Sequence, residues 1–171
     1  MNEDLALAVL RIVIGGVVMQ HGLLKLGLVG KGGSVKGVAG WFNGLGLRPG
    51  MFWAVVAVAA EALGGLLMVI GLGGPIGPAF LAGDMVVVTI VAHLPQGFWA
   101  GGGKVGWEFP LPLATAGFAI ALLGNGGWSL DAALGLTYSD ATRWTWLAIV
   151  AVGVVVALGT KLAFAPKKAT A

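Results

Sequence analysis

"FWAVVAVAAEALGGLLMVIGL", Phe52–Leu72, decides how the rest of the chain is read. The stretch carries a single charge, Glu61, among aliphatic and small residues. As a helix it would reach about 31 Å, enough to cross a hydrocarbon core roughly 30 Å thick. It therefore predicts a membrane span. The small residues Ala57, Ala60, Gly64 and Gly65 around Glu61 offer a surface to which another helix backbone can come close.

The same length and apolarity recur on either side. Leu5–Val29, Ile76–Leu94, Phe109–Leu123 and Trp144–Phe164 are the other candidate spans. Phe109–Leu123 is short, at roughly 22 Å, and needs flanking residues such as Trp107 or a thinned bilayer to cross. The turn "GLGGPIGP" separates Phe52–Leu72 from Ile76–Leu94, and "GNGGWSLD" ends the short span with helix-breaking residues. Leu5–Val29 is not read as a cleaved signal, because its start is acidic at Glu3 and Asp4 and it is too long for such a core.

Composition agrees. The 171 residues are 58% hydrophobic and 10% charged, with mean hydropathy +0.95, far from the balance of a water-soluble domain. One all-α membrane domain is expected, with the lipid bilayer as its main partner. The absence of cysteine excludes disulfides, thiolate metal sites and any dithiol relay built by this chain. The net charge of +3 reads as topology rather than as nucleic-acid binding. With five spans, Lys31, Lys36, Arg48, Lys104, Lys167 and Lys168 share one side, while Arg143 stands with Glu3, Asp4, Asp131 and Asp140 on the other. The positive-inside rule then puts the N-terminus outside and the C-terminus in the cytoplasm. Tryptophans at 41, 53, 107, 128, 144 and 146 fall near span ends, as in an aromatic belt.

Ionisable residues within spans are costly and face a partner or a cavity. Arg11, His21 and Lys25 share one helical stripe with Ile14 and Val18. Depths counted along the helices put Arg11, Asp84 and Glu61 close enough for one buried network, with Gln20 nearby. His21 and His93 fall at the opposite mouth, with Lys25 just below. The nine residues between Asp84 and His93 set them on opposite faces of a regular helix, so either the helix has ended by His93, near Pro95, or one of them points away. The ligand-binding or proton-handling candidates are His21, Lys25, Glu61, His93 and Glu108; the buried polar network is Arg11, Gln20 and Asp84. Each also has a structural reading: an ion pair that fixes register, a packed histidine, or a lysine reaching for the interface. No catalytic residue is assigned, and no metal site. The two histidines lack the matching frames of a haem pair, and "GGGK" at Gly101–Lys104 is a turn, not a phosphate loop.

Two connections look ordered. "SVKGVAGWFNGLGLRPG" spaces Val35, Val38, Trp41 or Phe42 and Leu45 helically behind a Ser34 cap, which predicts a short helix on the membrane surface. "HLPQGFWAGGGKVGWEFP" is too aromatic for a plain linker and reads as a lid or re-entrant loop with Glu108 beneath it.

The order of Arg11, "HGLLKL" (His21–Leu26), "WFNGLGLRP" (Trp41–Pro49), "AEALGGLLMVIGL" (Ala60–Leu72), "HLPQGF" (His93–Phe98), "GWEFPL" (Gly106–Leu111) and "SLDAAL" (Ser129–Leu134) resembles the DoxX family of bacterial membrane proteins. The resemblance implies a four-helix transmembrane bundle over residues 1–135, with residues 136–171 adding a fifth C-terminal transmembrane helix and a basic tail. It also implies the bacterial inner membrane and a link to redox systems, since the family is named for its similarity to a small membrane subunit of thiosulfate:quinone oxidoreductase. The expected function is a redox accessory protein binding a quinone or similar amphipathic ligand. No flavin, haem or metal motif is visible, so electrons would come from a redox enzyme partner at the cytoplasmic face. The alternatives are a non-catalytic scaffold recruiting soluble enzymes and a small transporter.

Overall fold

A computed structural model describes residues 2–165. They form α1 (Asn2–Lys25), α2 (Val35–Gly44), α3 (Gly50–Ile70), α4 (Ile76–Val88), α5 (Pro110–Leu123), α6 (Leu130–Ala133) and α7 (Asp140–Phe164). Beyond α4 the same rod continues as a π turn, Thr89–His93, and a 3-10 turn, Leu94–Gln96. Among the described residues, α1, α3, the Ile76–Gln96 rod and α7 are long and apolar enough to cross a membrane, and α5 is a shorter apolar helix.

Local chemistry sets the boundaries. Glu3 and Asp4 open α1 and Lys25 closes it, each charge opposing the helix dipole end it meets. The helix stops there, four residues before the expected Val29, where a glycine-rich segment takes over. Ser34 accepts from Gly37 N–H at 3.0 Å and caps α2, the expected surface helix. At the end of α3, Gly71 takes φ +66°, donates to Met68 O, and lets Leu72 N–H reach Leu67 O at 2.9 Å. Only glycine adopts that left-handed closure without strain.

The helices meet through small residues. α1 and α3 pack so closely that a Cβ built on Gly65 would stand 2.7 Å from Gly15 O, and one on Gly15 2.7 Å from the Met68 Cβ. Gly64 turns instead toward Gly77 of α4, while Gly117 of α5 approaches Pro78 O. The small-residue surface of Phe52–Leu72 thus serves two neighbours rather than one. One apolar core joins Val18, Met68, Leu81, Met85, Ala114 and Ile120; a second joins Phe42, Leu47, Ala54, Val91 and Ala157. Large apolar side chains such as Leu63, Val152, Val155 and Leu162 cover the outside, where lipid replaces water.

α7 lies at the rim, with Ala157 as its one buried residue, yet both its ends are fastened. Arg143 donates to Leu122 O at 2.9 Å, at the end of α5. Lys161 donates to Val91 O at 3.1 Å.

The helix directions gather Lys25, Lys31, Lys36, Arg48, Lys104 and Lys161 at one end of the bundle, called here the basic end. Glu3, Asp4, Asp131, Asp140 and Arg143 share the other. Lys167 and Lys168 lie outside the described residues.

Candidate functional site

The expected Arg11–Glu61–Asp84 network does not form. Arg11 is 2% exposed and faces the acidic end. Its guanidinium donates to Met68 O at 2.8 Å, Val69 O at 2.7 Å, Asn125 O at 3.1 Å and Trp128 O. Met68 and Val69 belong to the last turn of α3, whose carbonyls have no partner within the helix. A cation is favourable at that negative helix end. Asp131 completes the arrangement from α6: its carboxylate accepts from Gly73 N–H at 3.0 Å, Gly74 N–H at 2.8 Å and Asn125 Nδ2 at 2.7 Å. Arg11 therefore fastens α1 to the end of α3 and to the segment after α5. Depth counted from the span ends pairs it with Glu61, but Glu61 sits about two turns along α3 from those carbonyls. The sequence signal for Asn125 and Asp131 was present in "GNGGWSLD", where it reads simply as a helix-ending loop.

Glu61 instead meets Lys25. The ammonium nitrogen lies 2.5 Å from Glu61 Oε1, and the side chains are 20% and 4% exposed. Glu61 Oε2 is buried and has no hydrogen-bond partner. Asp84, on α4, stands level with Glu61, since Gly64 packs against Phe80 one turn away on the antiparallel helix pair. Its Oδ2 is likewise buried and unpartnered. Unmet polar oxygens at this depth are expensive, by about 1–3 kcal/mol each, and mark where something else can bind.

Asp84 forms part of the wall of a cavity of about 230 Å³ enclosed by α2, α3, α4 and α7. Besides this carboxyl the lining carries the indoles of Trp41 and Trp53, and the Nε1 of Trp53 is buried and unpartnered. Trp53, in the first turn of α3, is thus a cavity residue. Val56, Phe80 and Ile149 form a rim exposed on the outer surface of the bundle. On the far side of Trp41, at the basic end, lies a more open hollow of about 370 Å³ bordered by Lys25, Lys31 and Ser34.

The remaining candidates stand elsewhere. His21 is exposed, its Nδ1 3.0 Å from Val17 O on its own helix and its ring 6.4 Å from that of Phe109. Gln20 is exposed beside it and joins no buried network. His93 closes the π turn with Nδ1 2.9 Å from Gly106 O, so it faces the 97–109 segment while Asp84 faces the cavity. Glu108 accepts from Ala100 N–H at 2.8 Å. That bond, with Trp107 N–H to Gly97 O and Glu108 N–H to Phe98 O, folds 97–109 back on itself around the Gly101–Lys104 turn. Phe98 packs edge-on against Trp99 and Trp107 within it.

An all-helical bundle with apolar outer faces, glycine-tight helix contacts and buried charges at two depths defines a multi-pass integral membrane protein. The family model described as DoxX matches residues 6–94, just over half of the chain, and the chain belongs to the DoxX family. The matched stretch runs from α1 through the π turn and holds Arg11, Lys25, Glu61 and Asp84. No curated protein and no solved structure matches the chain.

Proposed function

We propose that this DoxX-family protein binds an amphipathic ligand of the quinone type in the cavity between α2, α3, α4 and α7, and serves as an accessory to a membrane redox system. The observation that carries the reading is an apolar cavity with two buried, unpartnered polar groups in its wall, Asp84 Oδ2 and Trp53 Nε1. A quinone head group is a flat apolar ring with two carbonyl acceptors. The indole N–H donates to one such oxygen, and a carboxyl can both hydrogen-bond and exchange a proton with another. About 230 Å³ holds a ring but not a long apolar tail, which leaves across the Val56–Phe80–Ile149 rim into lipid.

Nothing in the wall carries electrons, so the reading includes a redox enzyme partner at the basic end, where Lys31, Lys36, Arg48 and Lys104 are exposed. That end is placed in the cytoplasm of a bacterial inner membrane on the positive-inside rule. Labelling of a single cysteine put in place of Lys36, from one side of the membrane at a time, checks the orientation.

The test of the ligand is mass spectrometry of the organic extract of the detergent-purified protein, run beside folded Asp84→Asn and Trp53→Phe variants. A near-stoichiometric quinone in the native sample, depleted in both variants, supports the reading. Bulk lipid alone in all three, with no change in Trp53 fluorescence on adding a short-tailed benzoquinone, refutes it.

A further inference from the structure

Between the open hollow at the basic end and the apolar cavity stand three ionisable side chains in sequence. Lys25 borders the hollow and is 20% exposed at its side chain. Glu61 is buried between the helices, bonded to Lys25 through Oε1 and free at Oε2. Asp84 stands level with Glu61, because Gly64 packs against Phe80 where the antiparallel α3 and α4 meet, three residues after Glu61 and four before Asp84; it borders the cavity, free at Oδ2. Each residue comes from a different helix, α1, α3 and α4, so only the packed bundle lines them up.

We infer that Lys25, Glu61 and Asp84 form a proton path joining the hollow at the basic end to the ligand cavity. Two carboxyl oxygens left without donors inside a membrane protein are poor structural elements, because each costs desolvation and returns nothing. They are suitable relay stations, because a carboxyl accepts a proton on one oxygen and releases it from the other. A proton from water in the hollow reaches Glu61, and Lys25 holds that carboxylate at the entrance. Glu61 passes the proton from Oε2 to Asp84 and returns to the carboxylate paired with Lys25. One proton enters from the hollow and one arrives at Asp84 in the cavity wall; the path returns to its starting state when Asp84 releases that proton to the ligand side of the cavity. Its direction is fixed by its surroundings. The α2 and α7 residues on the cavity, Trp41, Phe42, Val150 and Val154 among them, are not ionisable, and α5 carries no titratable side chain. Arg11 and Asp131, at the acidic end, are saturated by backbone partners. Protons for the cavity therefore come from the basic end.

The inference deepens the ligand-site reading, and its test reads protons rather than ligand, so either can fail while the other stands. The protein is reconstituted in vesicles with one orientation selected, and Asp84 is labelled by an apolar carbodiimide, which attacks only protonated carboxyls. Adduct formation is followed by peptide mass spectrometry. The pH is stepped from about 9.5 to about 5.5 on one side at a time, a range that spans the titration of even a membrane-buried carboxyl. Labelling is expected to rise at least about fivefold when the basic end is acidified and to stay flat when the acidic end is. Glu61→Gln removes the response and Glu61→Asp restores part of it; Lys25→Met serves as a second interruption should Glu61→Gln not fold. Labelling that follows the acidic end, that is indifferent to Glu61→Gln, or that is absent at every pH overturns the path.

Discussion

Replacing Arg11 with methionine removes the guanidinium and keeps most of the apolar stem. Four carbonyls lose a donor: Met68, Val69, Asn125 and Trp128. Met68 O retains the Gly71 N–H at 3.2 Å, so three are stranded. An unsatisfied buried acceptor costs about 1–3 kcal/mol, and the Val69 and Trp128 bonds are only partly buried, which favours the lower figure for those two. The sum is a loss of about 3–5 kcal/mol. Arg11→Lys should lose less, since an ammonium keeps the charge at the end of α3 but has no fork to reach carbonyls from three segments. The assay is equilibrium unfolding in mixed micelles of dodecyl sulfate and a mild detergent, followed by helical circular dichroism. A methionine variant within about 0.5 kcal/mol of the parent would refute the reasoning, as would a lysine variant worse than methionine. Because Arg11 lies outside the cavity, a folded Arg11→Lys protein should still co-purify with whatever the parent carries.

Two further outcomes follow from packing and charge. Gly65→Ala puts a methyl 2.7 Å from Gly15 O, a backbone atom with no room to yield, and should destabilise by about 1–3 kcal/mol, whereas Gly16→Ala meets open space and should be neutral or slightly stabilising; the same micelle titration compares them. Burial first, and then Asp131, hold the Tyr138 phenol above its usual pKa in the loop before α7. The unfolded chain therefore ionises this tyrosine before the folded one does, and the stabilisation present below about pH 10 is lost as pH rises beyond it. Tyr138→Phe should flatten that alkaline slope, measured as unfolding free energy against pH, and an unchanged slope would show that another group sets it.

Much of this molecule was legible in one dimension. Apolar runs near the thickness of a bilayer, Pro and Gly punctuation, and the Ser34 cap are local properties, and they determine where helices start and stop and that they lie in lipid. Because helix direction alternates along the chain, the division of basic and acidic ends also follows from the sequence once the spans are counted. The ordered blocks from Arg11 to "HLPQGF" were likewise enough to point to the DoxX family.

Which charges meet was not legible, because residue counts from the span ends do not give the axial offset at which two helices pack. Counting from the span ends sets Arg11 and Glu61 at similar depths, yet α1 packs on α3 with Gly15 against Gly65 and Gly22 against Ala62, which brings Arg11 level with the last turn of α3 and Lys25 within reach of Glu61. Asn125 becomes a partner of that arginine, and Asp131 a partner of Asn125, only because the segment after α5 folds back over the end of α3, a long-range closure that no spacing announces. The cavity is still further from the sequence. It exists because α2, α3, α4 and α7 leave space beside Asp84, and an unfilled volume belongs to the packing of all four helices and to no single stretch of residues.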